Sequence, residues 1–90
     1  MSQNELHQSL EKMHKELHKV DSLDAESKNI LLQIANDIKK LLEDSEEKVV
    51  EEKDDLISNL KDSAANFESE HPALAESIHL VINTLSNMGI

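Results

Sequence analysis

The 90-residue sequence contains no cysteine, arginine, tyrosine or tryptophan, and it has only one glycine, one proline and one phenylalanine. Without cysteine there are no disulfides, thiolate metal sites or cysteine nucleophiles. One glycine and one proline disfavour a turn-rich β fold, and a lone glycine at position 89 cannot build a glycine-rich phosphate-binding loop. Because Phe67 is the one aromatic residue, the core must consist largely of aliphatic side chains.

Positive charge is also scarce, since nine lysines face 19 acidic residues and the net charge is −10. Affinity for nucleic acids comes largely from neutralised phosphates, so we expect no nucleic-acid binding. Anionic membrane surfaces are disfavoured for the same reason. No apolar run is long enough to span a bilayer, and the first residues do not resemble a signal peptide. We therefore expect a cytoplasmic protein without a membrane partner.

What the sequence does contain is a supply of apolar residues at helical spacing. This spacing predicts four amphipathic helices in one domain over residues 1–90, at about 3–20, 25–43, 46–67 and 72–88. We expect an all-α fold of antiparallel helices, either a four-helix bundle or a long helical hairpin. Residues 21–24 are predicted to form a turn, with Asp24 as the N-cap of the second helix.

The boundary between the second and third helices leaves two alternatives. Asp44 and Glu47 have the spacing of a capping box, which indicates a new helix start. On the other side, the apolar seam stays roughly in phase across this point, and glutamate and lysine favour helix. The sequence therefore allows four helices, or three with a very long middle one. We favour the break.

The last helix is predicted to be the central one. Pro72 suits its first turn, because proline lacks only an N–H that has no partner there. Gly89 suits the position just past its end, where a left-handed residue closes a helix. Apolar residues fill one face of this helix, and Leu80 points nearly the opposite way. A helix that is apolar on more than one side needs neighbours on more than one side.

The first helix carries a narrow heptad seam rather than a broad apolar face. A thin chain of 90 residues has few places to bury such a seam, so we expect self-association into a homo-oligomer. The expected role is that of a non-enzymatic interaction or structural module. The predicted interface residues are Leu6, Leu10, Met13 and Leu17 on the first helix, with Leu80 and Met88 on the last.

The histidines of the first helix form the one cluster with a chemical geometry. The stripe comprises His7, Glu11, His14 and His18. His14 and His18 lie one turn apart, a spacing at which two imidazoles hold one transition-metal ion, and a third ligand could come from the next turn. The stripe could instead be an exposed flank without a ligand, or a pH-sensitive interface between helices. The His-Glu-x-x-His signature of metalloproteases is absent.

Residues 43–55 hold eight acidic residues and two lysines. Such a run is typical of a solvated helix face, and the alternative is an adaptor surface for a basic protein partner. Lys53 falls in the middle of the apolar stripe of the third helix. Its stem could pack while its ammonium reaches water, or its charge could meet an acid on a partner helix.

Catalytic residues are not indicated. His71 is predicted to be the N-cap of the last helix, since it precedes a proline and avoids the α conformation. Ser69 and Ser77 are near it in sequence, but neither lies in a strained elbow or a glycine-rich turn. The abundant carboxylates crowd solvated helices, where nothing separates their pKa values. We expect no enzymatic activity and no cofactor.

Two stretches near the C-terminus carry a family resemblance. Residues 67–74 read Phe-Glu-Ser-Glu-His-Pro-Ala-Leu, and residues 85–90 read Leu-Ser-Asn-Met-Gly-Ile. In these patterns the chain resembles the small bacterial proteins grouped as domain of unknown function 4404. The resemblance extends along the full chain, but its specific part is the last third, and this chain lacks the arginines that relatives often carry. It implies a bacterial, soluble, helical protein and supplies no activity.

Overall fold

The structure, a computed structural model, describes residues 2–20 and 25–88. Apolar residues at helical spacing form four helices there: α1 (Ser2–Lys19), α2 (Ala25–Asp44), α3 (Glu46–Phe67) and α4 (Pro72–Asn87). No strand occurs within the described ranges. The all-α prediction is confirmed, and each helix begins and ends within one residue of its predicted bounds. The predicted turn at 21–24 and the predicted stop at Gly89 lie outside the described residues.

The helices pack as a bundle that is open along one side. α4 packs against both α3 and α1, and α2 packs against α3, whereas α1 and α2 make few contacts with each other. The four helices share one apolar core cluster. The long helical hairpin is therefore not the fold, and one groove remains along the seam between α1 and α2.

α4 lies between α1 and α3, as its two-sided apolar pattern predicted. Half of its 16 residues are buried, and its outward Leu80 remains 40% exposed. The hydroxyl of Ser77 donates to the Leu74 carbonyl at 2.6 Å, and that of Thr84 donates to the Leu80 carbonyl at 2.9 Å. These local bonds satisfy polar groups that the core would otherwise leave unpaired at a cost.

The break between α2 and α3 occurs where it was favoured, but a different residue forms the cap. Ser45 is the N-cap of α3, with an extended backbone at φ −169° and ψ 149°, and its hydroxyl accepts a hydrogen bond from the Lys48 amide at 3.2 Å. Asp44 is instead the last residue of α2. The predicted pairing of Asp44 with Glu47 as a capping box is therefore wrong. Serine and aspartate cap helices about equally well, so the sequence alone did not separate adjacent candidates.

The start of α4 follows the prediction in position but not in its cap. His71 occupies the N-cap position and Pro72 opens the helix, yet the His71 side chain makes no capping hydrogen bond. Its half-buried ring packs edge-on to Phe67, with centroids 6.4 Å apart. The His71 amide donates to the Phe67 carbonyl at 2.7 Å, which ties the end of α3 to the start of α4.

Candidate functional site

Two histidine side chains lie close together on the exposed face of α1. His14 and His18 are one helical turn apart, and their Nε2 atoms are 3.0 Å from each other. The rings meet edge to face, with centroids 4.5 Å apart. Both side chains are exposed. At this distance an Nε2–H on one ring can donate to the Nε2 lone pair of the other, and the tautomers of the two rings decide which ring is the donor.

His7 and Glu11 do not complete a larger cluster with this pair. Both are exposed, but no group of three or more histidines, aspartates or glutamates within residues 2–20 and 25–88 is arranged to hold a metal ion. The predicted four-residue metal stripe is therefore not assembled. Among the three histidines, His7 lies two turns from His14, whereas His14 and His18 are one turn apart, the spacing at which two side chains on a helix are neighbours.

The seam between α1 and α2 opens into a groove of about 530 Å³. Leu10, Leu32 and Ala35 supply its apolar lining, and polar side chains complete it. Its polar lining residues are His7, Glu11 and His14 on α1 with Asn36 and Lys39 on α2. The groove forms because α1 packs mainly against α4, whereas α2 packs mainly against α3.

Most of the residues predicted to form an interface between copies lie inside the single chain. Leu6, Met13 and Leu17 are at most 2% exposed, and Leu10 is 9% exposed. Met88 is also buried, and only Leu80 among the six is at the surface. Contrary to the prediction, the apolar surface of these residues is covered within one chain, because α4 packs against α1. Of the four predicted interface residues on α1, Leu10 is the one that lines the open groove.

The acidic segment 43–55 is a solvated surface. Its eight carboxylate residues, two at the end of α2 and six in the first half of α3, are all exposed. They are Glu43, Asp44, Glu46, Glu47, Glu51, Glu52, Asp54 and Asp55. Glu46 and Glu47 lie in the first turn of α3, where the helix dipole favours negative charge.

The two lysines of this segment are both engaged within the chain. Lys48 Nζ lies 2.8 Å from an Asp44 carboxylate oxygen. The hydrogen bond and charge of Asp44 raise the pKa of Lys48 above its ordinary value. A raised lysine pKa means that the contribution of Lys48 is present at neutral pH and is lost as pH rises through that pKa. Because the pair is exposed, its contribution to stability is small.

Lys53 has a partner that sequence reasoning did not identify. Its half-buried side chain reaches across to α4, where Nζ donates to the Met88 carbonyl at 3.0 Å. Met88 follows the last residue of α4, where carbonyls lack helical partners and the dipole favours a cation. The contact matches neither alternative given for Lys53 from the sequence, which were an ammonium in water and an ion pair with an acid on a partner helix. The usable signal was a lone lysine in an apolar stripe, which calls for a buried acceptor of any kind.

The other residues considered for chemistry do not converge. Ser77 is buried, and its hydroxyl donates to the Leu74 carbonyl. Ser69 is exposed in the turn after α3, and His79 is exposed on α4. His71 packs on Phe67. These positions show no paired nucleophile and base.

Four amphipathic helices around a shared aliphatic core place the chain among all-α bundle proteins. The family described as domain of unknown function (DUF4404) matches residues 6–90, nearly the whole chain, and the chain belongs to this family. No curated protein and no solved structure gives a significant match. Within the described ranges, no helix has the length and apolar character needed to cross a bilayer.

The Lys53 contact gives a testable consequence for stability. Lys53→Met keeps a long apolar stem but removes the donor to the Met88 carbonyl, so we expect a loss of about 0.5–1.5 kcal/mol in the free energy of unfolding. Lys61→Met is the matched control, because Lys61 is exposed on the same helix and its loss changes the charge equally. Urea unfolding measures both variants. Equal losses, or a loss only at Lys61, would contradict a special role for Lys53.

Proposed function

We propose that this chain is a small, non-enzymatic, cytoplasmic interaction module that pairs with a second copy of itself through the α1–α2 groove. The observation that carries the proposal is the opening between two helices that are consecutive in the chain. Consecutive helices of a bundle normally cover each other, whereas α1 and α2 barely touch. Leu10, Leu32 and Ala35 line the space between them.

The occupant we infer is the same groove of another copy, in a two-fold symmetric pair. In such a pair, a contact from one residue of the first copy to a second residue of its partner is repeated in the opposite direction, so every contact occurs twice. The apolar linings would then cover each other and exclude water. Ala35 and Leu32 are only half-buried in the single chain, which leaves apolar surface to gain from pairing.

The charges of the groove favour this occupant. Glu11 lies on the α1 side and Lys39 on the α2 side, and both are exposed. A two-fold axis that runs along the groove, parallel to its helices, sets α1 of one copy against α2 of the other and brings Glu11 of each copy toward Lys39 of its partner. Opposite charges at a contact fix its register, and like charges there cost affinity. The net charge of −10 opposes pairing, so we expect a weak, reversible dimer.

Charge exchange tests the pairing. We expect sedimentation of the wild type between about 1 µM and 1 mM, the range in which weak complexes dissociate, to show a monomer–dimer equilibrium. Glu11→Lys and Lys39→Glu should each weaken dimerisation by about tenfold or more, because each sets like charges against each other twice. The double variant should recover most of the loss, because it restores both opposite-charge contacts.

Glu76→Lys is the control for net charge, because Glu76 is exposed on α4 and does not line the groove. It makes the chain less negative by the same amount as Glu11→Lys and should not weaken dimerisation. A wild type that is monomeric at every concentration would contradict the proposal. So would a double variant that dimerises no better than the worse of its two parents.

A second candidate function is an adaptor for a basic protein segment, and the acidic turn between α2 and α3 favours it. All eight carboxylates of residues 43–55 are exposed, while the two lysines among them bind Asp44 and the Met88 carbonyl. The segment therefore presents largely unneutralised negative charge around one end of two helices. Such a surface attracts a lysine- or arginine-rich chain and speeds its association.

Neutralising part of the segment tests this second candidate. A fluorescent lysine-rich peptide serves as the probe, and its anisotropy measures binding. A variant in which Glu46, Glu47, Glu51 and Glu52 are all replaced by glutamine should bind the peptide about tenfold more weakly, since each exposed ion pair contributes a few tenths to 1 kcal/mol. Added salt should weaken wild-type binding, because it screens exposed charges.

The matched control replaces four exposed acids elsewhere, Glu5, Glu26, Glu68 and Glu70, with glutamine. It changes the net charge equally and also removes two acids from first helical turns, Glu5 in α1 and Glu26 in α2. The control should bind the peptide nearly as well as the wild type. An equal loss in both variants would show that net charge alone attracts the peptide, which would eliminate the acidic turn as a docking surface.

A further inference from the structure

We propose that His14 and His18 form a two-residue chelate for a divalent transition-metal ion, Cu²⁺, Ni²⁺ or Zn²⁺, on the exposed face of α1. The proposal does not depend on pairing of two copies. Its basis is the approach of the two Nε2 atoms to 3.0 Å across one helical turn. Both side chains are exposed, so an ion can reach them without opening the fold.

The distance between the nitrogens matches the bite of a shared ion. Two imidazole nitrogens that each lie about 2.0–2.1 Å from one metal are about 2.9–3.4 Å apart when the angle at the metal is near 90–110°. The observed 3.0 Å lies in this interval. The helix backbone therefore needs no adjustment, and the rings need only turn their lone pairs from each other toward a common point.

The hydrogen bond between the rings is what the ion would replace. In the neutral pair one ring carries its proton on Nε2 and the other on Nδ1. Binding requires a lone pair on both Nε2 atoms, so the donor ring changes to the Nδ1–H tautomer and no proton is lost from the neutral pair. Each imidazole keeps its Nδ1–H facing solvent, where water can accept from it.

The donor set defines the class of ion. Imidazole nitrogens suit copper, nickel and zinc, whereas magnesium and calcium require oxygen ligands. Within residues 2–20 and 25–88 no third histidine or carboxylate joins the pair as a ligand. Water therefore fills the remaining coordination positions, and affinity follows the order in which copper binds more tightly than nickel or zinc.

The surrounding charge permits a cation at this position. Lys15 and Lys19 flank the pair in sequence, but Lys19 Nζ lies 3.6 Å from a Glu16 carboxylate oxygen, which offsets its charge. The chain as a whole carries −10, and a negative surface raises the local concentration of cations. His14 also lines the α1–α2 groove, so a bound ion lies beside it.

Calorimetric titration of the tag-free full chain with nickel chloride tests the chelate, and zinc chloride gives a second transition-metal probe. We expect one ion per chain. His14→Ala and His18→Ala should each lower the affinity by about tenfold or more, because the second imidazole acts at high effective concentration once the first is bound. The double variant should bind no better than either single variant, since the two residues act as a unit.

Three controls make the result specific. His7→Ala removes another exposed histidine of α1, and His79→Ala removes an exposed histidine of α4; both should keep the wild-type affinity within about twofold, because neither belongs to the chelate. Magnesium chloride should give no binding. Circular dichroism of every variant checks that the helices remain, and nickel should raise the Tm of the wild type but not of the His14 variant. Absence of nickel binding, or an equal loss in the His7 variant, would overturn the assignment.

Discussion

The packing of α4 between two helices is the constraint on which the rest of the structure depends. Ile78, Val81 and Leu85 are fully buried on a helix that contacts both α1 and α3. Because α4 holds α1 on one side and α3 on the other, α2 is tied to the bundle mainly through α3. The opening between α1 and α2 follows from this arrangement. The groove is thus a consequence of which helix occupies the centre.

The charged side chains lie around this core and, with few exceptions, are exposed to water. The carboxylates of residues 43–55 remain exposed to water, and Asp44 among them is paired with Lys48. Lys53 is the exception, because its ammonium reaches the carbonyl that follows α4. This bond joins the middle of α3 to the end of α4 and supplies an acceptor group with a donor at a helix terminus. Because Lys48 is paired with Asp44, both lysines of residues 43–55 are engaged within the chain.

The sequence predicted the fold class and the helix bounds because helical periodicity and turn residues are local signals. It did not identify where the leucine seam of α1 is buried. Leu6 and Leu17 show the same spacing whether the covering helix comes from this chain or from another, and in the structure it is α4 of the same chain. Periodicity reports that a face is covered and does not report which helix covers it.

The candidate sites were likewise predictable from the sequence only in part. The His14–His18 pair was predictable because one helical turn fixes the distance between the two side chains. The additional ligands were not, since His7 and Glu11 share the stripe without converging on the pair. The groove was not predictable from the sequence, because it results from the scarcity of contacts between α1 and α2 in the packed bundle. Lys53 was noticed as a lysine within an apolar stripe, but its partner, the Met88 carbonyl, is selected by tertiary geometry.

Native-state hydrogen exchange of the full chain tests the central position of α4 most directly. If α4 is held on two sides, the amides of residues 76–85 exchange only when the whole chain unfolds, and they are among the slowest in the protein. Their opening free energy should equal that of global unfolding measured with urea. Exchange of these amides through a local opening, while α2 and α3 remain protected, would contradict the account.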